Sequence, residues 1–306
     1  MTATANALHP AHSRESLYAA LDGYLAALLA RDPARARWAP VVRNSENNVA
    51  LHIGDGLWGT VTGRGDYDLR FADPLTGQVG LFTTFIESGD ESGAALRLGV
   101  DATGAISEVE LVIVRQVDEA LKFPNPRFYT KPVLEEIIPP AERMTRERLI
   151  CVANGYFSTL EQNDGQFFTR FHPDCNRVEN GTQTTNNPDF ILPIASLGCE
   201  EQFRTGWYRY DDRLRGRRFP LVDEERGLVM AHGFIDHRGT LTDYALADGT
   251  RVESHIRRPH SFYLSELFRI EQGAIRQIEA NFITVPYHMP SPWDAPGWAS
   301  DAGMRA

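Results

Sequence analysis

Six of the nine histidines in this chain lie in its second half, at His172, His232, His237, His255, His260 and His288. Imidazole titrates near neutrality, so this bias points to acid–base work. In the segment 228–236, period-two alternation sets Met230, His232, Phe234 and Asp236 on one strand face. A histidine between Met and Phe reads as an inward, partly desolvated base, or else as a core histidine bonded to backbone. Glu266 sits among Leu264, Leu267 and Phe268, and a carboxyl buried among such neighbours needs a purpose, because burying a charge is costly. His260 shares a face with Phe262, Leu264 and Glu266, so it points into the same cavity or stands at a surface strand end. His255, beside Arg257 and Arg258, reads as surface, and Asp174 in His172-Pro173-Asp174 as a turn residue.

Other chemistries have little to work with. His232-x4-His237 and His255-x4-His260 lack a matching ligand set, so no metal is expected. No phosphate-cradling or dinucleotide pattern occurs, and no nucleophile elbow; no cofactor is implied. A net charge of −10 argues against nucleic acid or an anionic membrane as partner. Arg213, Arg215, Arg217 and Arg218 read as a solvated loop. Cys151, Cys175 and Cys199, an odd set without Cys-x-x-Cys, read as reduced thiols and a cytoplasmic setting. No signal peptide or spanning apolar run is seen.

The elements that must position these groups come in two copies. Gly23-Tyr24-Leu25-Ala26-Ala27-Leu28 recurs as Gly155-Tyr156-Phe157-Ser158-Thr159-Leu160. Arg43-Asn44-Ser45-Glu46-Asn47-Asn48 is echoed by Asn176-Arg177-Val178-Glu179-Asn180-Gly181, and each copy closes on a Gly-Ala-Ile hairpin at Gly104 and Gly273. A helix is expected from Ser13 to about Ala30, on Leu17, Leu21, Leu25 and Leu28. Strands are expected at 48–53, 57–62, 67–72, 78–86, 94–100 and 108–116. In the second copy the pattern predicts helices at 145–162 and 199–205 and strands at 228–236 and 261–270. The chain, at 306 residues, thus divides into a structural N-terminal domain (13–120), a Pro-rich linker (121–143), a second domain carrying the pocket (144–288) and a tail (289–306). Residues 1–12 read as a loose tail, and the C-terminal one as disordered or a lid.

A long helix, a curved antiparallel sheet and a closing Gly-x-Ile hairpin resemble the NTF2-like (SnoaL-like, ketosteroid-isomerase-like) superfamily. The resemblance implies α+β architecture: two tandem cone domains, each a helix packed on a curved antiparallel sheet around an apolar pocket. It also implies site residues. The isomerase's oxyanion-binding tyrosine falls on Tyr156, and its protonated acid on Glu266, where an apolar pocket would keep the carboxyl neutral. Its general-base aspartate falls on Asn180, beside Glu179, and Asn cannot abstract a proton. Tyr156 has a packing role as its alternative, and Glu179, repeated at Glu46, a structural one.

The reading that results is a cofactor-independent lyase, dehydratase or isomerase acting on a small hydrophobic, aromatic molecule. His232 or His260 is the base, Tyr156 and Glu266 hold an oxyanion, and Glu179 and Asn180 contact substrate. Phe157, Phe234, Phe262 and Phe282 line the cavity. The alternative is a non-catalytic module that binds a ligand or dimerises, as a homodimer or as a pseudo-dimer within one chain.

Overall fold

A computed structural model gives the fold and describes residues 12–115, 123 and 126–294. The expected N-terminal tail to residue 11, linker residues 121–122 and 124–125, and the tail from 295 on lie outside the described residues.

Helix α1 (Arg14–Leu29) starts at Ser13, whose hydroxyl accepts the Ser16 amide while the Ser16 hydroxyl accepts the Ser13 amide. These bonds satisfy donors that a first helical turn leaves open. Leu17, Leu21, Leu25 and Leu28 recur on one side and are buried. Further along, α3 (Arg146–Gln162) repeats the design, with Thr145 as cap and Leu149, Val152, Tyr156 and Leu160 buried.

Each helix lies on a six-stranded sheet. The first holds β1 (Trp38–Glu46), β2 (Val49–Ala50), β3 (Val61–Asp73), β4 (Gln78–Glu87), β5 (Asp90–Val100) and β6 (Ile106–Val114), with a short helix α2 (Leu57–Thr60) before β3. The second holds β7 (Phe171–Glu179), β8 (Thr182–Gln183), β9 (Arg213–Asp223), β10 (Leu228–His237), β13 (His260–Glu271) and β14 (Ala274–Val285). Helix α4 (Cys199–Thr205) precedes β9, and a small hairpin, β11 (Asp243–Ala245) and β12 (Arg251–Glu253), precedes β13. Strand order β2-β1-β6-β5-β4-β3 is reproduced as β8-β7-β14-β13-β10-β9. The protein is α+β, with two tandem cone-like domains.

The duplication reaches individual hydrogen bonds. Asn47 and Asn180 both adopt positive φ, at 51° and 48°. The Asn47 side chain bonds the amide and carbonyl of Ile113, and the Asn180 side chain does the same to Phe282. Asn180, on which the resemblance sets the isomerase's base and where a substrate contact was expected, is therefore a tie between β7 and β14. Both of its polar atoms are occupied.

Three local expectations fail. Of the strand expected at 48–53 only Val49–Ala50 forms, while 38–46, for which no element was expected, is a full strand. Leu57–Thr60, expected as strand, is helical because the Leu57 amide is held by Glu46 Oε2 at 2.7 Å. Gly56 permits this: its φ is 66°, and a Cβ there would lie 2.4 Å from that carboxylate oxygen. The strand expected at 67–72 starts at Val61 and runs through Gly63-Arg64-Gly65, a register shift between Arg64 and Asp68 absorbing the bend. The second copy's enlargement is split in two, 184–212 replacing 51–60 and 238–259 replacing 88–89.

The convex faces of the two sheets pack together through Leu69, Phe71, Phe82, Leu221, Met230 and Leu267. Polar contacts across this interface are reciprocal. Asp73 accepts the Val222 amide (3.1 Å) and Arg146 (2.5 Å), and Asp223 accepts the Ala72 amide (3.3 Å) and Arg14 (2.6 Å). Arg14 and Arg146 each open their own helix, so the two domains are related by an approximate twofold.

Candidate active site

The concave face of the second sheet, under α3, encloses a cavity of about 370 Å³. One row crosses the sheet beneath it: Ala231 pairs with Glu266, Glu266 with Ala280, and Ala280 with Glu179, the last three lining the cavity. Alanines on both sides of Glu266 leave the space that larger side chains would fill. Tyr156 comes down from α3, while residues 190–195, 207–211 and 255–256 form the walls and Phe262 and Phe282 add apolar surface.

The Glu266 carboxyl is 4% exposed. Burial foremost, with Glu179 close by, pushes its pKa up to about 8, against Arg177 and a hydrogen bond from Tyr156. Burial and the neighbouring Glu266 likewise raise the Tyr156 phenol well above its usual range. Near neutral pH this corner thus presents two uncharged O–H donors in apolar surroundings.

Arg177, on β7, enters from the side. Its guanidinium donates to Tyr208 and Gln202 (both 2.6 Å) and to the Thr184 hydroxyl (3.2 Å), lies 3.4 Å from the Tyr156 oxygen, and pairs with Glu179 at 3.4 Å. Gln202 in turn donates to the carbonyls of Thr184 and Ile194, stapling one wall to α4. The opposite wall carries Asp211, buried and hydrogen-bonded to His237 Nε2 at 2.9 Å. Burial pushes the Asp211 carboxyl up, and His237 and His255 oppose that rise.

Tyr156, Glu179, Glu266, Phe262 and Phe282 therefore meet in one cavity. His232 and Phe234 do not, and the correction has a clear cause. The alternation along β10 is as expected, but this face packs against the first domain, while Ile235 of the other face lines the cavity. His232 is fully buried with its Nε2 3.5 Å from Glu110. Burial, with Arg218 and Arg97 nearby, lowers it to about 3 despite Glu110. It is a neutral interface residue, screened from the cavity by its own strand. Phe234 packs on Tyr263 and under Arg215. Arg218, expected on a solvated loop, donates to the same Glu110, as do Arg97 and Tyr263.

Phe157 faces Phe219 and Phe268 in the core beside Tyr156. His260 stacks on His237 at 4.6 Å and meets Phe262 edge-on at 5.0 Å; it does not line the cavity, so the expected base role is not supported there. His255 is exposed on the rim, in edge contact with Tyr210 at 4.7 Å. Residues 290–293 of the tail pack on the first domain: the Pro290 carbonyl accepts from Asn48 and the Trp293 indole donates to Ser45. Sequence reasoning missed Arg177, Asp211 and His237. Arg177 replaces Asn44 of the first copy, a break in the repeat that marks the position.

Among the described residues, no group of three or more His, Cys, Asp or Glu side chains could hold a metal, and no helix is long and apolar enough to cross a membrane.

Residues 142–282 match a family model described as "Domain of unknown function (DUF8021)". No curated protein matches. Among solved structures, a protein of unknown function with a cystatin-like fold from Methylobium petroleophilum PM1 is 17% identical, covering 36% of this chain and 83% of its own, with a TM-score of 0.31. A de novo designed protein with a curved β-sheet is 16% identical over 36% of this chain and 92% of its own, at 0.28. AclR from Streptomyces galilaeus is 11% identical over 45% and 91%, at 0.27. Scores of this size carry no functional argument, and the architecture rests on the strand order and register above.

Proposed function

We propose that the second domain is a cofactor-independent proton-transfer catalyst of NTF2-like type, acting as a dehydratase, lyase or isomerase on a small, uncharged aromatic molecule that bears a carbonyl or phenolic oxygen. The observation that carries this reading is the neutral Glu266 carboxyl beside the Tyr156 hydroxyl in an apolar hollow. Two such donors stabilise an oxygen that gains negative charge during reaction, and each contributes on the order of 10²–10³-fold in rate.

Asp211 takes the role first given to His232. A carboxylate whose affinity for protons is raised by burial is a better base near neutral pH, and a positioned base supplies roughly 10²–10⁴-fold. Asp211 removes a proton next to the substrate carbonyl, and the electron pair moves onto the oxygen held by Tyr156 and Glu266. The enolate then expels a neighbouring hydroxyl, which leaves as water with the proton from Asp211, or takes that proton back at another carbon. The charges of Arg177 and Glu179 offset each other, which favours an uncharged ligand.

The test assays purified protein, without added cofactor or metal, against aromatic ketones, alcohols and diols. At least one class should turn over, with Glu266→Ala and Tyr156→Phe slower by roughly 10²–10³-fold. Glu266→Gln should retain part of the rate, because its amide still donates. Turnover indifferent to all three variants would refute the assignment. The occupied Asn180 and the fully engaged Arg177 favour a second reading, a ligand-binding module; thermal stabilisation by these compounds without turnover would select it.

A further inference from the structure

We propose that Cys175 and Cys199 form a reversible disulfide that locks one wall of the cavity. Their sulfurs lie 2.7 Å apart, nearer than unbonded sulfurs normally sit, and both residues are 2% exposed. Asn176 and Arg177 follow Cys175 on β7, and Cys199 opens α4, whose Gln202 and Phe203 hold Arg177 and pack on Tyr156. The chain between the cysteines includes Thr184 and residues 190–195 of the cavity wall. A bond there turns that wall into a closed loop anchored at both ends beside Arg177.

The pair is also chemically uneven. Cys175 donates its hydrogen to Cys199. Against burial, that bond and Arg177 hold the Cys199 thiol below its ordinary range, and the same bond and burial push Cys175 up. Cys199 is therefore the attacking thiolate. With a small-molecule disulfide such as oxidised glutathione, Cys199 displaces one glutathione thiol and forms a mixed disulfide. The Cys175 thiolate then attacks the Cys199 sulfur and releases the second glutathione. The protein loses two electrons and two protons, and glutathione disulfide gains them. Burial of both sulfurs means that α4 must lift from β7 for this exchange, so its rate reports opening of the wall.

The experiment uses the full chain, held in glutathione disulfide and separately refolded from urea in a glutathione redox buffer, so that burial cannot hide the pairing. Alkylation under denaturing conditions and peptide mapping then identify free thiols. The expected product links Cys175 to Cys199, with Cys151, which is exposed, as the only alkylated or glutathionylated position. Tm should rise by roughly 5–10 °C on oxidation and fall again with dithiothreitol, and Cys199→Ser should abolish that response while leaving the reduced Tm near wild type. Free Cys175 and Cys199 after both treatments, or a bond from either to Cys151, would overturn the proposal.

Discussion

The same row of four positions crosses both sheets. In the first domain it reads Leu81, Leu96, Leu111 and Glu46; in the second, Ala231, Glu266, Ala280 and Glu179. The leucines close the first hollow from below, and Trp58 of α2 closes it from the side, 5.5 Å from Tyr24 and 6.2 Å from Trp38. Glu46 is spent on structure, holding the Leu57 amide and Arg115. In the second domain, Glu179 has no such turn to hold, because 184–212 replaces the short α2 segment and swings outward to become a wall. Identical topology thus yields a packed core in one copy and a cavity in the other. The deciding changes are a few side-chain volumes and one carboxyl.

Four measurements would break or sharpen this contrast. Trp58→Ala should open in the first domain the hollow that the second already has, at a cost of about 3–5 kcal/mol in urea unfolding. A loss below about 1 kcal/mol would mean that Trp58 is not the plug. Ala280→Leu, copying Leu111, should close the second hollow: binding of any ligand found in the screen should weaken at least about 100-fold, roughly 2.7 kcal/mol, with little loss of stability, because the added methylenes occupy existing space. Unchanged binding would place the ligand elsewhere.

Arg14→Ala and Arg146→Ala should each cost about 2–4 kcal/mol, since each strands a buried aspartate across the interface. Near-equal values are expected from the reciprocal geometry, and a large inequality in calorimetry would argue that the twofold is only topological. The smallest effect per step is the pH dependence from Glu266. Its folded pKa near 8 lies above the ordinary value of about 4.3, so the folded state keeps a proton that the unfolded state loses. This group therefore costs nothing below about pH 4, and stability falls as pH rises toward 8, by at most about 1.4 kcal/mol per unit. Glu266→Gln should flatten that slope, and a slope equal to wild type would mean Glu266 is ionised in the folded protein. The first domain, with Leu96 at this position, has no corresponding group.

Much of the architecture was legible because it rests on local signals. Ser13 and Thr145 mark helix starts, leucine spacing marks the buried side, and the repeated Glu-Asn block marks equivalent strand ends. Residues 199–205 were read as a helix and are one. What was lost depends on partners distant in sequence. Period-two alternation on β10 separates His232 from Ile235 but does not say which face meets the cavity, since the other domain's sheet buries the back of the strand as well. Apolar neighbours marked His232 as buried, and that holds; they carried no sign of which side. Tyr156 and Glu266 were findable because the resemblance sets the isomerase's tyrosine and acid on them, and because Leu264, Leu267 and Phe268 beside Glu266 mark its strand as buried. Asp211 was not, because its burial and its partner His237 come from strand ends and insertions that assemble only in three dimensions.

The reciprocal Asp73 and Asp223 contacts join two halves of a single polypeptide, and that has an evolutionary consequence. In an assembly of identical subunits, any codon change that hollows out one subunit hollows out its mate as well, and each doubled defect must be tolerated. Covalent tandem linkage removes that obligation. One half can remain a rigid brace with its interior sealed, while the other accumulates the destabilising alanines and the buried acid of an open hollow.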